Sequence, residues 1–273
     1  MTALAAPTRL EEAFRRQRTE PLPGLMPYFT AGFPRLDDTA GLLLAAERSG
    51  CLGIELGIPF SDPLADGPTV QRTSWEALRN GMTLSLALEQ LSTARGSGLN
   101  LPVAVMTYIN PILAHGLERF TSDAAAAGAD AVIVPDLPGE EATDLAVMAR
   151  QAGLALVPLL APTTPKGRMA RLCQEATGFV YCVSLTGTTG ARDTIPPSAF
   201  QLLDAVRSVT ALPRALGFGL SRQEHLRALA GHADGAVVGS ALLEAVAASP
   251  HDPVGAAQRF LLQMSGASPP GTG

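Results

Sequence analysis

Eight short apolar segments alternate with stretches of helical periodicity, and this alternation limits the possible folds more than any other feature of the chain. The segments are residues 25–29, 52–56, 103–108, 131–134, 154–159, 179–183, 214–217 and 235–238. A strand followed by a helix, repeated in this way, is typical of a parallel sheet. Eight repeats predict an α/β fold, a closed (β/α)8 TIM barrel, and an open doubly wound sheet is the weaker alternative.

Helical patterns fill the gaps between these segments. Examples are residues 37–49, 117–127, 140–152 and 223–230, and an extra N-terminal helix is predicted over residues 9–18, with extra short helices in the loops. No linker or shift in composition divides the 273 residues. Because barrels of this kind reach roughly 250 residues as one unit, residues 1–273 are predicted to form a single TIM-barrel domain, with a flexible tail at about 265–273.

The composition argues against several classes of function. With 47% apolar and only 16% charged residues, the chain is expected to be a soluble globular protein with a large core. A net charge of −5 without a basic tract argues against nucleic acid, and no apolar stretch approaches the roughly 18 residues of a membrane span. The three cysteines lack a Cys-x-x-Cys spacing and the four histidines are scattered, so neither a disulfide framework nor a metal site is predicted. The simplest location is the cytoplasm.

The second apolar segment and the loop after it carry three carboxylates. Glu55 lies between Ile54 and Leu56 inside the predicted strand, so its pKa is expected to be raised if the side chain points into the fold. Asp62 and Asp66 follow in turns held by Pro and Gly, and are expected to be wetter and easier to ionise. Two carboxylates in unlike environments can divide acid and base work between them.

Gly-rich segments follow the last three predicted strands, at residues 186–190, 217–219 and 239–240. In a barrel of this type, the loops after the last two strands and the start of a short helix offer backbone N–H groups to a phosphate. Each glycine alone is better explained by a tight turn, but the three segments together favour phosphate binding. The polar loop at residues 185–196 is long enough to be a lid, although ordinary surface mobility explains it equally well.

The positions of the tyrosines and of the lysine limit the class of substrate and the mechanism that the sequence predicts. Tyr108 at the end of the third segment and Tyr181 within the sixth suit a flat aromatic substrate, although a single strand tyrosine is usually a core residue. Lys166 is the only lysine and follows Pro165 at the start of a helix, where it is poorly placed to form a Schiff base. Acid–base catalysis therefore remains the favoured mechanism.

The motifs resemble those of a known family. The run Glu55-Leu-Gly-Ile-Pro-Phe-Ser-Asp-Pro-Leu-Ala-Asp-Gly-Pro68 is similar to the signature of the tryptophan synthase alpha chain family. Further blocks resemble the family in order along the chain, namely Pro27-Tyr-Phe-Thr-Ala-Gly32, Met106-Thr-Tyr-Ile-Asn-Pro111, Pro135-Asp-Leu-Pro138, Thr186-Gly-Thr-Thr-Gly190, Gly217-Phe-Gly219 and Val238-Gly-Ser240.

The resemblance implies a lyase that cleaves indole-3-glycerol phosphate to indole and glyceraldehyde 3-phosphate, the penultimate step of tryptophan biosynthesis. It implies that Glu55 protonates indole C3 and deprotonates the glycerol hydroxyl. It also implies that Asp66 accepts a hydrogen bond from the indole N–H. Tyr181 would lie close to Glu55. The other implied substrate contacts are Tyr28, Met106, Tyr108 and Leu159 around indole, Gly190, Gly219, Gly239 and Ser240 at the phosphate, Phe218, and Thr189, which would reach Asp66 when the lid closes.

The resemblance also implies a partner, the tryptophan synthase beta chain, in an α2β2 heterotetramer. Pyridoxal phosphate would belong to that chain, and no cofactor is expected in this one. Asp62, Pro63, Asn110 and Pro138 would face the partner, whereas Thr188 replaces a residue that is often apolar in the family. A stand-alone indole-3-glycerol-phosphate lyase, a catalytically silent phosphate-binding regulatory subunit and another phosphate-binding barrel such as an isomerase remain as alternatives.

Overall fold

A computed structural model describes residues 8–184, 194–217 and 219–267. Within these ranges the strands are β1 (Gly24–Thr30), β2 (Ile54–Gly57), β3 (Val103–Met106), β4 (Ala131–Ile133), β5 (Ala155–Leu156), β6 (Leu159–Leu160), β7 (Val180–Val183), β8 (Arg214–Gly217) and β9 (Gly235–Val238). The α-helices are α1 (Arg9–Gln17), α2 (Asp38–Arg48), α3 (Pro68–Arg79), α4 (Leu84–Gly96), α5 (Ile109–His115), α6 (Leu117–Ala127), α7 (Thr143–Gln151), α8 (Lys166–Glu175), α9 (Pro197–Arg207), α10 (Gln223–Ala228), α11 (Ser240–Ala247) and α12 (Pro253–Ser265).

The sheet closes at the fifth predicted strand. All neighbouring strands are parallel, in the order β5-β4-β3-β2-β1-β9-β8-β7-β6, so the two ends of the sheet are the two halves of one segment. The Val157 N–H donates to the Val132 carbonyl at 3.0 Å on one side, and the Tyr181 N–H donates to the Pro158 carbonyl at 3.0 Å on the other. The predicted (β/α)8 TIM barrel is therefore confirmed.

A continuous fifth strand over residues 154–159 was the wrong prediction. Pro158 has no N–H to donate, so the ladder is interrupted there and the segment is divided into β5 and β6. The first half pairs with β4 and the second half with β7. The break lies at the seam where the barrel closes.

The N-terminal helix packs against the amino ends of the strands. Thr8 forms a capping box with Glu11, which satisfies the first backbone N–H groups of α1. On the inner face of α1, Leu10 and Phe14 are fully buried, and the Phe14 ring lies 5.3 Å from the ring of Phe179 just before β7. The extra N-terminal helix predicted from the sequence is therefore present.

Two predicted element boundaries differ from the structure. Tyr108 was expected to end the third strand, but β3 ends at Met106 and Tyr108 is the N-cap of α5. The carboxylate of Asp136 accepts the Ile109 N–H at 2.9 Å, which supports the first turn of that helix instead of a longer strand. The helix predicted over residues 140–152 is divided, because a short 3-10 helix at Gly139–Glu141 precedes α7.

Candidate active site

Glu55 is the most deeply buried acidic side chain of the barrel interior. Its backbone pairs with Tyr28 of β1 and Ala104 of β3, and the residue is only 1% exposed. The Tyr181 hydroxyl donates a hydrogen bond to Glu55 Oε2 at 3.3 Å. Burial, together with the nearby charge of Asp66, raises the pKa of Glu55 to about 8, because the ionised form loses its hydration. Glu55 therefore holds its proton near neutral pH.

Asp66 lies at the start of α3, immediately before the N-cap Gly67. It was expected to be wet and easy to ionise, yet it is half-buried and burial raises its pKa to about 6. A hydrogen bond from the Tyr108 phenol acts in the opposite direction. The same phenol oxygen accepts the Ala65 N–H at 3.0 Å, which fixes the ring against the loop. Asp66 still ionises at a lower pH than Glu55, so the expected order of the two groups holds.

An apolar cavity of about 300 Å³ opens beside Glu55. Its lining residues come from the carboxyl ends of several strands and from the loop before α3, and they are Glu55, Ala65, Met106, Ile133, Pro135, Leu159, Leu160, Ala161, Tyr181 and Val183. The cavity brings together four residues predicted from the sequence, namely Glu55, Met106, Leu159 and Tyr181.

Several lining residues were not predicted as site residues. Ile133 pairs with Met106 across β3 and β4. Its place near the end of the predicted segment 131–134 was the sequence signal that could have found it. Val183 lies two residues after Tyr181 on β7 and therefore faces the same side of the sheet. Most of the residues that line the cavity are therefore apolar.

Tyr28 and Tyr108 do not line that cavity but lie beside the carboxyl groups. Tyr28 is buried, and its hydroxyl contacts the backbone at Gly57 so closely that a β-carbon there would collide with it. A β-carbon at Gly239 would lie 3.4 Å from the Tyr28 β-carbon, in ordinary contact. Tyr28 therefore lies between the end of β2 and the start of α11.

The predicted phosphate end of the site is described in part. Gly239 is the N-cap of the eight-residue helix α11, and Ser240 is its first residue. Gly219 follows β8 with a φ of 80°, a backbone conformation that favours glycine. Thr189, Gly190, Phe218 and Thr188 lie outside the described residues, as does the predicted lid except for residues 194–196.

Other reactive side chains lie outside a common cluster. Among residues 8–184, 194–217 and 219–267, no group of three or more His, Cys, Asp and Glu side chains could hold a metal ion. The three cysteines are free and buried. Lys166 begins α8 and is exposed. Within the same ranges, no helix has the length and apolar character needed to cross a membrane.

The fold and the site define a TIM-barrel protein whose mouth holds two carboxyl groups of unequal pKa beside an apolar cavity. Residues 14–268 match the family model described as tryptophan synthase alpha chain. The chain belongs to the tryptophan synthase alpha chain family, as its motifs predict.

The sequence is similar to those of known family members over most of its length. The tryptophan synthase alpha chain of Roseiflexus castenholzii is 44% identical over 95% of this chain and 100% of that protein, and that of Chloroflexus aggregans is 46% identical over 86% and 88%. A solved structure from Pyrococcus furiosus, described as the structural basis of mutual activation of the tryptophan synthase α2β2 complex, superposes with a TM-score of 0.84. It is 40% identical and covers 89% of this chain and 98% of that one.

Proposed function

We propose that Glu55 and Asp66 are the catalytic pair of this enzyme. As a member of its family, the chain is a lyase of tryptophan biosynthesis that cleaves indole-3-glycerol phosphate to indole and glyceraldehyde 3-phosphate. The observation that carries the proposal is the position of Glu55, which is 1% exposed and lines the apolar cavity, and burial there raises its pKa to about 8, against about 6 for Asp66. Near pH 7 this order leaves Glu55 neutral and Asp66 charged.

The neutral Glu55 carboxyl group donates its proton to C3 of the indole ring, which places positive charge on the ring nitrogen. The charged Asp66 accepts a hydrogen bond from the indole N–H and stabilises that charge. The Glu55 carboxylate then removes the proton from the glycerol hydroxyl next to the ring, and the carbon–carbon bond breaks. The electron pair of the broken carbon–carbon bond returns to the ring and neutralises the ring nitrogen. The products are indole and the aldehyde, and Glu55 is again protonated.

The remaining site residues hold the substrate in this scheme. Tyr181 orients the Glu55 carboxyl group through the hydrogen bond at 3.3 Å. Met106 and Leu159 line the cavity that takes the indole ring, and Tyr28 and Tyr108 border the carboxyl pair. The proposed phosphate ligands are Gly190, Gly219, Gly239 and Ser240. Phe218 is proposed as a further substrate contact, and Thr189 would close onto Asp66. The backbone N–H groups at the start of α11 suit an anion because they have no partner within the helix.

The proposed partner is a tryptophan synthase beta chain in an α2β2 heterotetramer, which the Pyrococcus furiosus complex supports as a relative. Pyridoxal phosphate would belong to that partner. Asp62 is exposed in the loop before α3, which suits an interface residue better than a catalytic one. We also propose that the enzyme is made of one domain, since one hydrophobic cluster of the described residues extends from α1 through α12. A cytoplasmic location is proposed because the family is one of biosynthetic enzymes.

Indole release from indole-3-glycerol phosphate tests the proposal. The wild-type chain should release indole slowly alone and faster with an added beta chain, and Glu55→Gln should abolish both activities. Glu89→Gln on the exposed face of α4 is the matched control and should behave as wild type. Retained turnover in Glu55→Gln would refute the assignment. Equal rates with and without the beta chain would favour a stand-alone lyase, and no indole from wild type would favour a silent subunit.

A further inference from the structure

One polar cluster joins the helix that follows Asp66 to the helix that begins at Ser240. The carboxylate of Glu244, on α11, accepts a hydrogen bond from the Thr69 hydroxyl at 2.9 Å and another from Arg72 Nη2 at 3.0 Å. Both contacts reach the same oxygen, Oε1. A single carboxylate oxygen therefore connects the first turns of α3 to α11.

The cluster lies close in sequence to both proposed ends of the substrate site. Thr69 is three residues after Asp66, and Glu244 is four residues, about one helical turn, after Ser240. Asp66 is itself attached to α3, because Gln71 Nε2 donates to its backbone carbonyl at 2.8 Å. A displacement of α3 relative to α11 would therefore move Asp66 relative to Ser240.

Arg72 connects this cluster to further parts of the barrel mouth. Its Nη1 donates to Glu76 Oε1 at 3.1 Å, one turn further along α3. Its guanidinium carbon lies 5.9 Å from the centre of the ring of Phe33, a buried residue in the loop after β1. The arginine thus contacts the loop after β1 as well as α11.

The electrostatics of Glu244 agree with a formed ion pair. Slight burial opposes ionisation, but the hydrogen bonds from Arg72 and Thr69 hold the pKa of Glu244 below its usual value. A second contact attaches α3 to β1, since the buried hydroxyls of Thr30 and Thr73 are hydrogen bonded at 2.8 Å, but it does not connect α3 to α11. Loss of the Glu244 contacts should therefore alter the position of α3 without unfolding the barrel.

We propose that the cluster of Thr69, Arg72 and Glu244 is a positioning device that sets the distance between Asp66 and the phosphate-binding end of α11. The inference rests on the proposed function, which places the indole nitrogen at Asp66 and the phosphate at Ser240. A ligand that spans both ends depends on this distance, whereas a ligand that occupies one end does not. The three residues touch no reacting atom and act through Asp66.

The test compares Arg72→Met and Glu244→Gln with Arg259→Met in the full chain. Arg259 is a suitable control because it also forms an ion pair on a helix, with Asp252 at 2.9 Å, and both side chains are exposed. Each cluster variant should lower kcat/KM for indole-3-glycerol phosphate about two- to fivefold, the range of a partly exposed ion pair. The double variant should lose no more kcat/KM than either single variant, because both substitutions break the same contact. Arg72→Lys should keep part of the kcat/KM that Arg72→Met loses.

Binding of fragments separates positioning from general damage. Dissociation constants for indole and for inorganic phosphate, each measured alone, should stay at wild-type values in Arg72→Met. An unchanged kcat/KM in both cluster variants would overturn the proposal, and so would a parallel loss of affinity for either fragment. If the wild-type chain releases no indole, the proposed function fails. If the wild-type chain is active and both cluster variants are equally active, only the positioning proposal fails.

Discussion

Replacing Glu55 by glutamine should stabilise the fold, and the gain should grow as the pH rises. Glu55 is 1% exposed and its pKa is raised from the usual 4.5 to about 8 by burial and by Asp66. Below about pH 4.5, the carboxyl group is protonated in both the folded and the unfolded chain. Above that pH the unfolded chain ionises first, so the stability that the neutral side chain contributes is lost progressively up to about pH 8.

The size of the effect follows from the pKa difference. Each unit of pKa corresponds to about 1.4 kcal/mol, so a wild-type protein above about pH 8 loses roughly 5 kcal/mol relative to its stability in acid. At about pH 7 the loss is roughly 3 kcal/mol by the same relation. Glutamine has nearly the same shape and no charge to bury, and its amide oxygen can accept the hydrogen bond from Tyr181.

Urea unfolding at several pH values measures this difference. The free energy of unfolding of Glu55→Gln should exceed that of wild type by less than about 1 kcal/mol near pH 5 and by several kcal/mol near pH 8.5. Glu89→Gln, which changes an exposed glutamate, should follow wild type at every pH. A difference between Glu55→Gln and wild type that does not change with pH would refute the raised pKa and the argument built on it.

Three further predictions follow from individual contacts. Tyr181→Phe removes a hydrogen bond that lowers the pKa of Glu55, so the basic limb of the kcat/KM profile should move up by about half to one pH unit, as measured by indole release; an unmoved limb would contradict the assignment. Gly57→Ala should lower both stability, by about 1–3 kcal/mol, and indole release, because the new β-carbon collides with the Tyr28 hydroxyl; wild-type values for both would count against the packing. Asp130→Ala should cost about 3–5 kcal/mol in urea unfolding, since Arg9 at 2.8 Å and Arg95 at 2.9 Å lose their buried partner, while the remaining folded protein keeps its turnover rate.

Much of the fold could be predicted because hydrophobic periodicity is a local property of the sequence. The eight strand segments and the N-terminal helix follow from it. The division of the fifth segment at Pro158 does not follow from periodicity, since the flanking residues Val157 and Leu159 are both apolar. A proline at the seam is compatible with closure of the barrel, because its carbonyl still accepts a hydrogen bond from the Tyr181 backbone N–H.

The site could be predicted where its chemistry depends on neighbours along the chain. Glu55 lies between two apolar strand residues, so its burial was visible in the sequence. The partial burial of Asp66 was not, because it depends on the loop packing against Tyr108, which is far away in sequence. The contact between Arg72 and Glu244 spans 172 positions, and no local pattern indicates such a pair.

The protonation state of Glu55 tests the central claim most directly. Carbon-13 NMR of protein labelled at the glutamate side-chain carboxyl carbons would follow each group through a pH titration, and the resonance absent from Glu55→Gln identifies residue 55. A midpoint near pH 8 is predicted, so that Glu55 is neutral at pH 7 and able to donate a proton. A midpoint near the usual value of 4.5 would leave the side chain charged at pH 7 and would contradict its role as the acid.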